Sequence, residues 1–287
     1  MSIIANDAAP EAEGSARRKT TARRIVTHLA ILLCLLAVLE FATRAGFVDQ
    51  LLFPRPSSIL ESFVRIYFIQ GNVWWHLWVT MTQVIAGFFV GTTLGILLAI
   101  AAGMSDVLRR YMKPYVVILE ATPRIAIGPL IIAWFGFGFE SKLVIVTLVC
   151  FFPPFVNTLT GMLTTDEERM EMMRSLGATK SQVFWKLMLP GMAPIIMAGI
   201  RLAMTAALGG ALVAEFISAN EGMGVLMNRY TFALNMPSAF ASLLTLTIVG
   251  FFLYRTMEII EAKVVFWSND REMQKVARRR AAAWSSA

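Results

Sequence analysis

Residues 165–190, TDEERMEMMRSLGATKSQVFWKLMLP, are a polar, amphipathic stretch lying between two long apolar runs, and they decide what kind of chain this is. Thr165 followed by Glu168 has the T-x-x-E form of a capping box, with Asp166, Glu167 and Glu168 in the first turn, where acidic groups suit the positive helix end. Gly177 offers a positive φ without steric cost, as helix C-termini require. Thr179 and Gln182 form a second capping box, and Pro190 is expected to close the second helix. Two short helices should therefore meet at a glycine corner. Each is too short to be stable alone in water, so the pair must dock on something. Met170, Met172, Met173 and Leu176 are the adaptable apolar surface that a partner groove would take.

The rest of the chain says where that loop sits. With 57% apolar residues and 16% charged residues in 287, composition places it among polytopic, all-α membrane proteins. The net charge of +7 does not imply nucleic acid, because the basic residues cluster beside apolar runs, where they set orientation in a bilayer. Cys34 and Cys150 both fall inside apolar runs and read as packing residues. Neither histidine, His28 or His76, belongs to a metal or nucleophile constellation, so no metal, cofactor or catalytic residue is expected.

Six spans are expected in a membrane unit covering residues 25–264. A disordered basic tail, 1–24, precedes it and a basic tail, 265–287, follows. The first span runs from Ile25 to about Arg44, with Glu40 near its end; its long polar lead and lack of a small-x-small cleavage site argue against a signal peptide. A short helix capped by Ser57 or Ser58 and ending near Tyr67 follows FPRPSS. The second span, Met81–Ala102, carries Gly87, Gly91 and Gly95, a ridge that lets another helix come close. The third, Tyr115–Phe135, holds Glu120, Pro123, Arg124 and Pro129. Charges at membrane depth face a bundle interior or a water-filled path. Glu120 and Arg124, four residues apart, either neutralise each other or line such a path. The fourth span, Leu143–Thr160, contains Pro153, Pro154 and Asn157, and the fifth, Ala193–Ile217, has Arg201 and Glu215 near its ends, the sixth being Phe240–Ile260. Asn157 reads as an interhelical hydrogen bond, Arg201 and Glu215 as structural. The tails and the loops 103–114 and 165–190 hold most Lys and Arg, so both termini and the two-helix loop are expected in the cytoplasm.

The loop resembles the EAA loop of the permease subunits of bacterial ABC importers. Glu171, Met172 and Met173 stand where that pattern has E-A-A, Gly177 follows at its spacing, and Leu187, Met188, Leu189 and Pro190 match its I-x-L-P end; methionines replace both alanines. FPRPSSIL, ATPRIAIGPLIIAWFGFG, FFPPFVNTLTG and ALVAEFISANEGMGVLM further resemble the branch handling nitrate, sulfonates and taurine. The resemblance implies six transmembrane helices with a cytoplasmic helix-turn-helix, in the bacterial inner membrane. It implies a homodimer working with a separate ATP-binding subunit and an extracytoplasmic solute-binding protein. Glu171, Met172, Met173, Ser175, Leu176, Gly177, Ala178, Leu187 and Pro190 would meet the ATPase, while Glu120, Arg124, Pro129, Asn157 and Glu215 are candidates for the path of a small anionic solute. The absence of G-x-x-x-x-G-K-[ST] from the sequence agrees with ATP hydrolysis in a partner. Two alternatives stay open: a permease for a neutral pyrimidine- or vitamin-like solute, and an ATP-independent secondary transporter or channel.

Overall fold

A computed structural model describes residues 9–105, 111, 114, 115, 118, 124–218 and 220–268, with the side chains of 9–25, 124, 125, 218 and 268 excepted. Among these residues there is no strand, and five helices are long and apolar enough to cross a membrane. The elements are α1 (Ala9–Arg44), α2 (Pro56–Val64), α3 (Asn72–Met104), α4 (Gly128–Phe135), α5 (Phe139–Leu163), α6 (Glu167–Ser175), α7 (Lys180–Val183), α8 (Leu189–Ser218), α9 (Met223–Phe232) and α10 (Met236–Val264). The expected third span falls partly outside the described residues, Glu120 and Pro123 included. Its described end is a 3₁₀ turn, Arg124–Ile127, leading into α4 with Pro129 in the first turn, where a missing N–H costs nothing.

The centre is a three-helix packing of α3, α5 and α8, with α5 in contact along both of the others. Val84 and Phe88 of α3, Val146 and Cys150 of α5, and Ala203, Ala207 and Ala211 of α8 are buried together. In a bilayer the lipid tails are as apolar as the side chains, so association depends on close packing. The glycine ridge supplies it. A Cβ at Gly87 would lie 2.5 Å from Val146 Cγ1, and one at Gly91 would lie 2.5 Å from Thr147 O. Gly199 of α8 makes the same approach to α5, where a Cβ would stand 2.8 Å from both Asn157 Cβ and Pro153 O. The tandem prolines of α5 thus sit against the point where α8 comes closest.

Several sequence expectations need correction. The helix that carries the first span extends back to Ala9, and its membrane-spanning part, Val26–Arg44, lies close to the expected Ile25–Arg44. Pro10 suits a first helical turn and the Ala, Glu, Arg and Lys that follow are good helix formers. Cys34 on this helix is exposed, and only Cys150 is a packing residue. Ser57 does not cap its own helix: Arg55 is the N-cap residue, and Glu40 of α1 accepts from Ser57 N at 3.1 Å and from Ser57 Oγ at 2.9 Å. The carboxylate that weakened the first span as an apolar run instead joins it to α2. The second span starts at Asn72, not Met81, and exposes Trp74, Trp75 and Trp78 on its outermost turns.

Candidate functional site

The 165–190 loop folds as two helices around a glycine corner, with different chemistry at its start. Asp166 is the N-cap, its carboxylate accepting from Glu168 N at 3.1 Å and Arg169 N at 3.4 Å. Thr165 turns away and donates to Gly161 O, so the expected Thr165–Glu168 box does not form. At the corner Gly177 has φ +76°; its N–H donates to Arg174 O at 2.9 Å, and Ala178 N donates to Met173 O at 3.0 Å. This pair of bonds is the Schellman closure. The second box is reciprocal: Gln182 N donates to Thr179 Oγ1 at 3.3 Å and Thr179 N to Gln182 Oε1 at 2.8 Å.

Pro190 does not end the second helix. Residues Lys180–Ile217 run as one helix, with a π turn at Phe184–Met188 just before the proline. A proline ring conflicts with the carbonyl four residues earlier, here Lys186, and supplies no N–H to it. Shifting to an i→i−5 bond, Leu189 N to Phe184 O, widens the helix at that point and lets it continue. Of the expected docking surface, Met170 is buried and Met173 half-buried, whereas Met172 is 58% and Leu176 77% exposed. Glu171, Ser175 and Gly177 share that exposed end of the loop, while Ala178, Leu187 and Pro190 are half-buried.

At the opposite end of the bundle Glu215, only 1% exposed, is the hub of a polar cluster. Its Oε1 accepts from Thr80 Oγ1 at 2.7 Å and its Oε2 from Gly224 N at 2.7 Å. Thr80 Oγ1 accepts in turn from Met223 N at 2.8 Å, and His76 Nδ1 accepts from Gly222 N at 3.0 Å. Side chains of α3 and α8 thereby satisfy three successive N–H groups at the start of α9. Gly222, at φ +124°, leaves room for the Glu215 carboxylate, which any Cβ there would meet. Glu215 also borders a cavity of about 550 Å³ with Asn220, Asn228 and Arg229, and Lys142 borders a second of about 470 Å³ beside it.

The other candidates are not gathered there. Asn157 Nδ2 donates to Pro153 O of its own helix at 2.8 Å, so the expected interhelical bond is not made. Pro129 is exposed at the start of α4; the Arg124 side chain and all of Glu120 lie outside the described residues. Arg201 pairs with Glu261 of α10, Nη1 to Oε2 being 2.8 Å. Sequence reading passed over His76, Thr80, Gln83 and Lys142. The available signal was Lys142 itself, a lone ammonium opening an apolar run.

Five long apolar helices among the described residues, packed along a glycine ridge with a helical corner loop at one end and a polar latch at the other, define a multi-pass membrane protein. Residues 91–266 match the family model of the binding-protein-dependent transport system inner membrane component, and the chain belongs to that family. It is an ABC importer permease and a multi-pass inner-membrane protein. It is 27% identical to the taurine transport system permease protein TauC of Escherichia coli, over 86% of this chain and 92% of that one. To the formylaminopyrimidine transport permease protein ThiX of Halalkalibacterium halodurans it is 30% identical, over 82% and 93%. To the permease SsuC of Bacillus subtilis, whose name refers to aliphatic sulfonates transport, it is 29% identical, over 95% and 99%. In fold it is similar to an inward-facing structure of the MetNI methionine ABC transporter, with TM-score 0.54 at 20% identity, covering 69% of this chain and 97% of that one.

Proposed function

We propose that this permease forms the path for a small organic solute with an anionic group, of the sulfonate or taurine type, and is driven by a separate ATP-binding subunit docking on residues 165–190. The observation that carries the coupling assignment is the exposed apolar edge of α6: Met172 and Leu176 stand out on a capped, glycine-closed corner with nothing covering them. Glu171 on the same edge adds a charge for a basic partner groove. The anionic solute is supported by the names of two relatives and by Lys142 and Arg229 bordering the cavities at the far end. Arg124 and Pro129, where a broken helix follows a charge, extend the candidate path. The full assembly is two copies of this chain, two ATPase subunits and an extracytoplasmic binding protein. Both termini and the 165–190 loop lie on the cytoplasmic side.

A second reading, a neutral pyrimidine-like solute, is favoured by the 30% identity to a formylaminopyrimidine permease. Reconstitution with a cognate ATPase and binding protein tests both. Glu171→Lys should abolish ATPase capture and uptake while membrane insertion stays normal, and a sulfonate should compete for uptake where a pyrimidine does not. Normal capture by Glu171→Lys would remove the docking assignment, and competition by the pyrimidine alone would replace the solute.

A further inference from the structure

The cavity of about 470 Å³ lies between the outer turns of α3, the first turn of α5 and the 220–221 segment, and it is lined by Trp75, Trp78, Gln83, Lys142, Asn220 and Glu221 among others. One of these side chains carries a charge that the described residues leave unpaired. Lys142 is 7% exposed and forms no ion pair among the described residues. Gln83 is 1% exposed, and its Oε1 is buried with no hydrogen-bond partner. Buried charges are ordinarily paired, so an ammonium that lines a cavity without an ion pair calls for a ligand that brings the missing anion.

The charges around Lys142 narrow what that is. Glu215, Glu221 and Glu140 all act on it electrostatically, yet none is in ion-pair contact. Glu215 is already bound by Thr80 and Gly224, and Glu140 is exposed at the helix start. Glu221 is exposed and lines the same cavity as Lys142. One wall therefore offers an ammonium and another a carboxylate, apart from each other and both facing one space. Trp75 and Trp78 add ring faces, which attract a ligand cation. Tryptophans at this depth would suit a membrane-interface belt on their own. A lipid-facing crevice, though, would not bury an ammonium and an amide oxygen. The crevice of about 700 Å³ between α1, α2 and α10 shows the contrast, with Ser57 and Thr247 its only side-chain hydroxyls in an otherwise apolar lining.

We propose that this cavity binds a small zwitterion, with its sulfonate or carboxylate on Lys142 and its ammonium held by Glu221 and the tryptophan faces. This rests on the reading of the chain as a solute path and deepens it, separating zwitterions from simple anions. The test uses the permease assembled with its ATPase in nanodiscs, without binding protein. Equilibrium binding of radiolabelled taurine, a zwitterion, is compared with that of ethanesulfonate, which lacks the ammonium, and ATP-driven uptake is measured separately in proteoliposomes of the same complex with the binding protein supplied. Lys142→Gln should weaken both probes on the order of tenfold or more. Glu221→Gln should weaken taurine by a similar factor and leave ethanesulfonate unchanged. Equal loss of both probes in Glu221→Gln, unchanged taurine affinity in either charge variant, or no saturable taurine binding by the unmodified complex would overturn the proposal. Charge-selective binding without uptake would uphold the site and refute the solute-path reading; uptake with binding insensitive to these variants would do the reverse.

Discussion

Gly177→Val isolates the corner of the 165–190 loop as a backbone requirement. Gly177 has φ +76°, and a Cβ built there would meet nothing within 4 Å. Any cost is therefore conformational and not steric bulk. An L residue held in the left-handed region loses about 1–2 kcal/mol, with a β-branched side chain at the upper end or beyond. The alternative, letting the corner relax, forfeits the Gly177–Arg174 and Ala178–Met173 bonds, each contributing about 0.5–1.5 kcal/mol. Both routes arrive at a similar figure. If docking needs the corner intact, the ATPase should bind about 5- to 30-fold more weakly. Asn tolerates the left-handed region far better than Val, so Gly177→Asn should retain most of the affinity and Gly177→Ala should fall between. The assay is titration of purified ATPase onto each variant in nanodiscs, with insertion checked by yield. Equal losses for Val, Ala and Asn would show that surface bulk is what matters, and no loss for any would show that the corner is not at the contact.

Gly91→Ala should destabilise the bundle by about 1–3 kcal/mol, because its Cβ would press on backbone Thr147 O and force α3 and α5 apart. Gly209→Ala, with nothing within 4 Å of its Cβ, should be neutral or mildly stabilising, and thermal unfolding of the two purified variants in detergent checks both. Glu215→Ala should strip Gly224 N of its acceptor while Thr80 Oγ1 falls back on His76 O at 3.1 Å, costing about 1–3 kcal/mol for the one buried N–H; faster labelling of a cysteine placed at Asn220 would report the loosened segment, and an unchanged rate would refute the latch. Pro190→Ala removes the reason for the π turn, so the helix can tighten and rotate the loop relative to α8. ATPase capture should persist while uptake per ATP hydrolysed falls, and parallel loss of both would place the proline in the contact itself.

What was legible in the sequence was local. Gly177, the Thr179–Gln182 box and the glycine ridge each depend on residues within a turn or two, or on a spacing that leaves one face bare, and all three appear in the structure. Local signals misled where another carboxylate took over the hydrogen bonding. Ser57 looks like a cap, yet its N–H goes to Glu40, seventeen residues earlier. Thr165 looks like another, but Asp166 beside it accepts the first-turn N–H groups while Thr165 bonds back into the preceding helix. The first failure needed tertiary structure to resolve, whereas the second was a choice between two good capping residues that spacing alone could not make.

Glu215 was legible as a structural residue near the end of its span and as a path candidate, but its partners were not. Its neighbours come from 135 residues away at Thr80 and from across a turn at Gly224, and no periodicity announces such a meeting. The same helix carries a misreading, since Pro190 was taken as its end. Correcting it makes Lys180–Ile217 a single element with the glycine-closed corner before its first residue and the buried carboxylate near its last. A rise of 1.5 Å per residue makes that element roughly 55 Å long, comfortably more than the hydrocarbon core of a bilayer. Force applied to the corner therefore reaches the far side through one helix and not through a chain of loops. Its compliance is concentrated at the π turn, where hydrogen bonding shifts register, and at Pro194, where a second N–H is missing. The latch at Thr80 and Gly222–Gly224 then decides whether that far end moves alone or takes α3 and α9 with it.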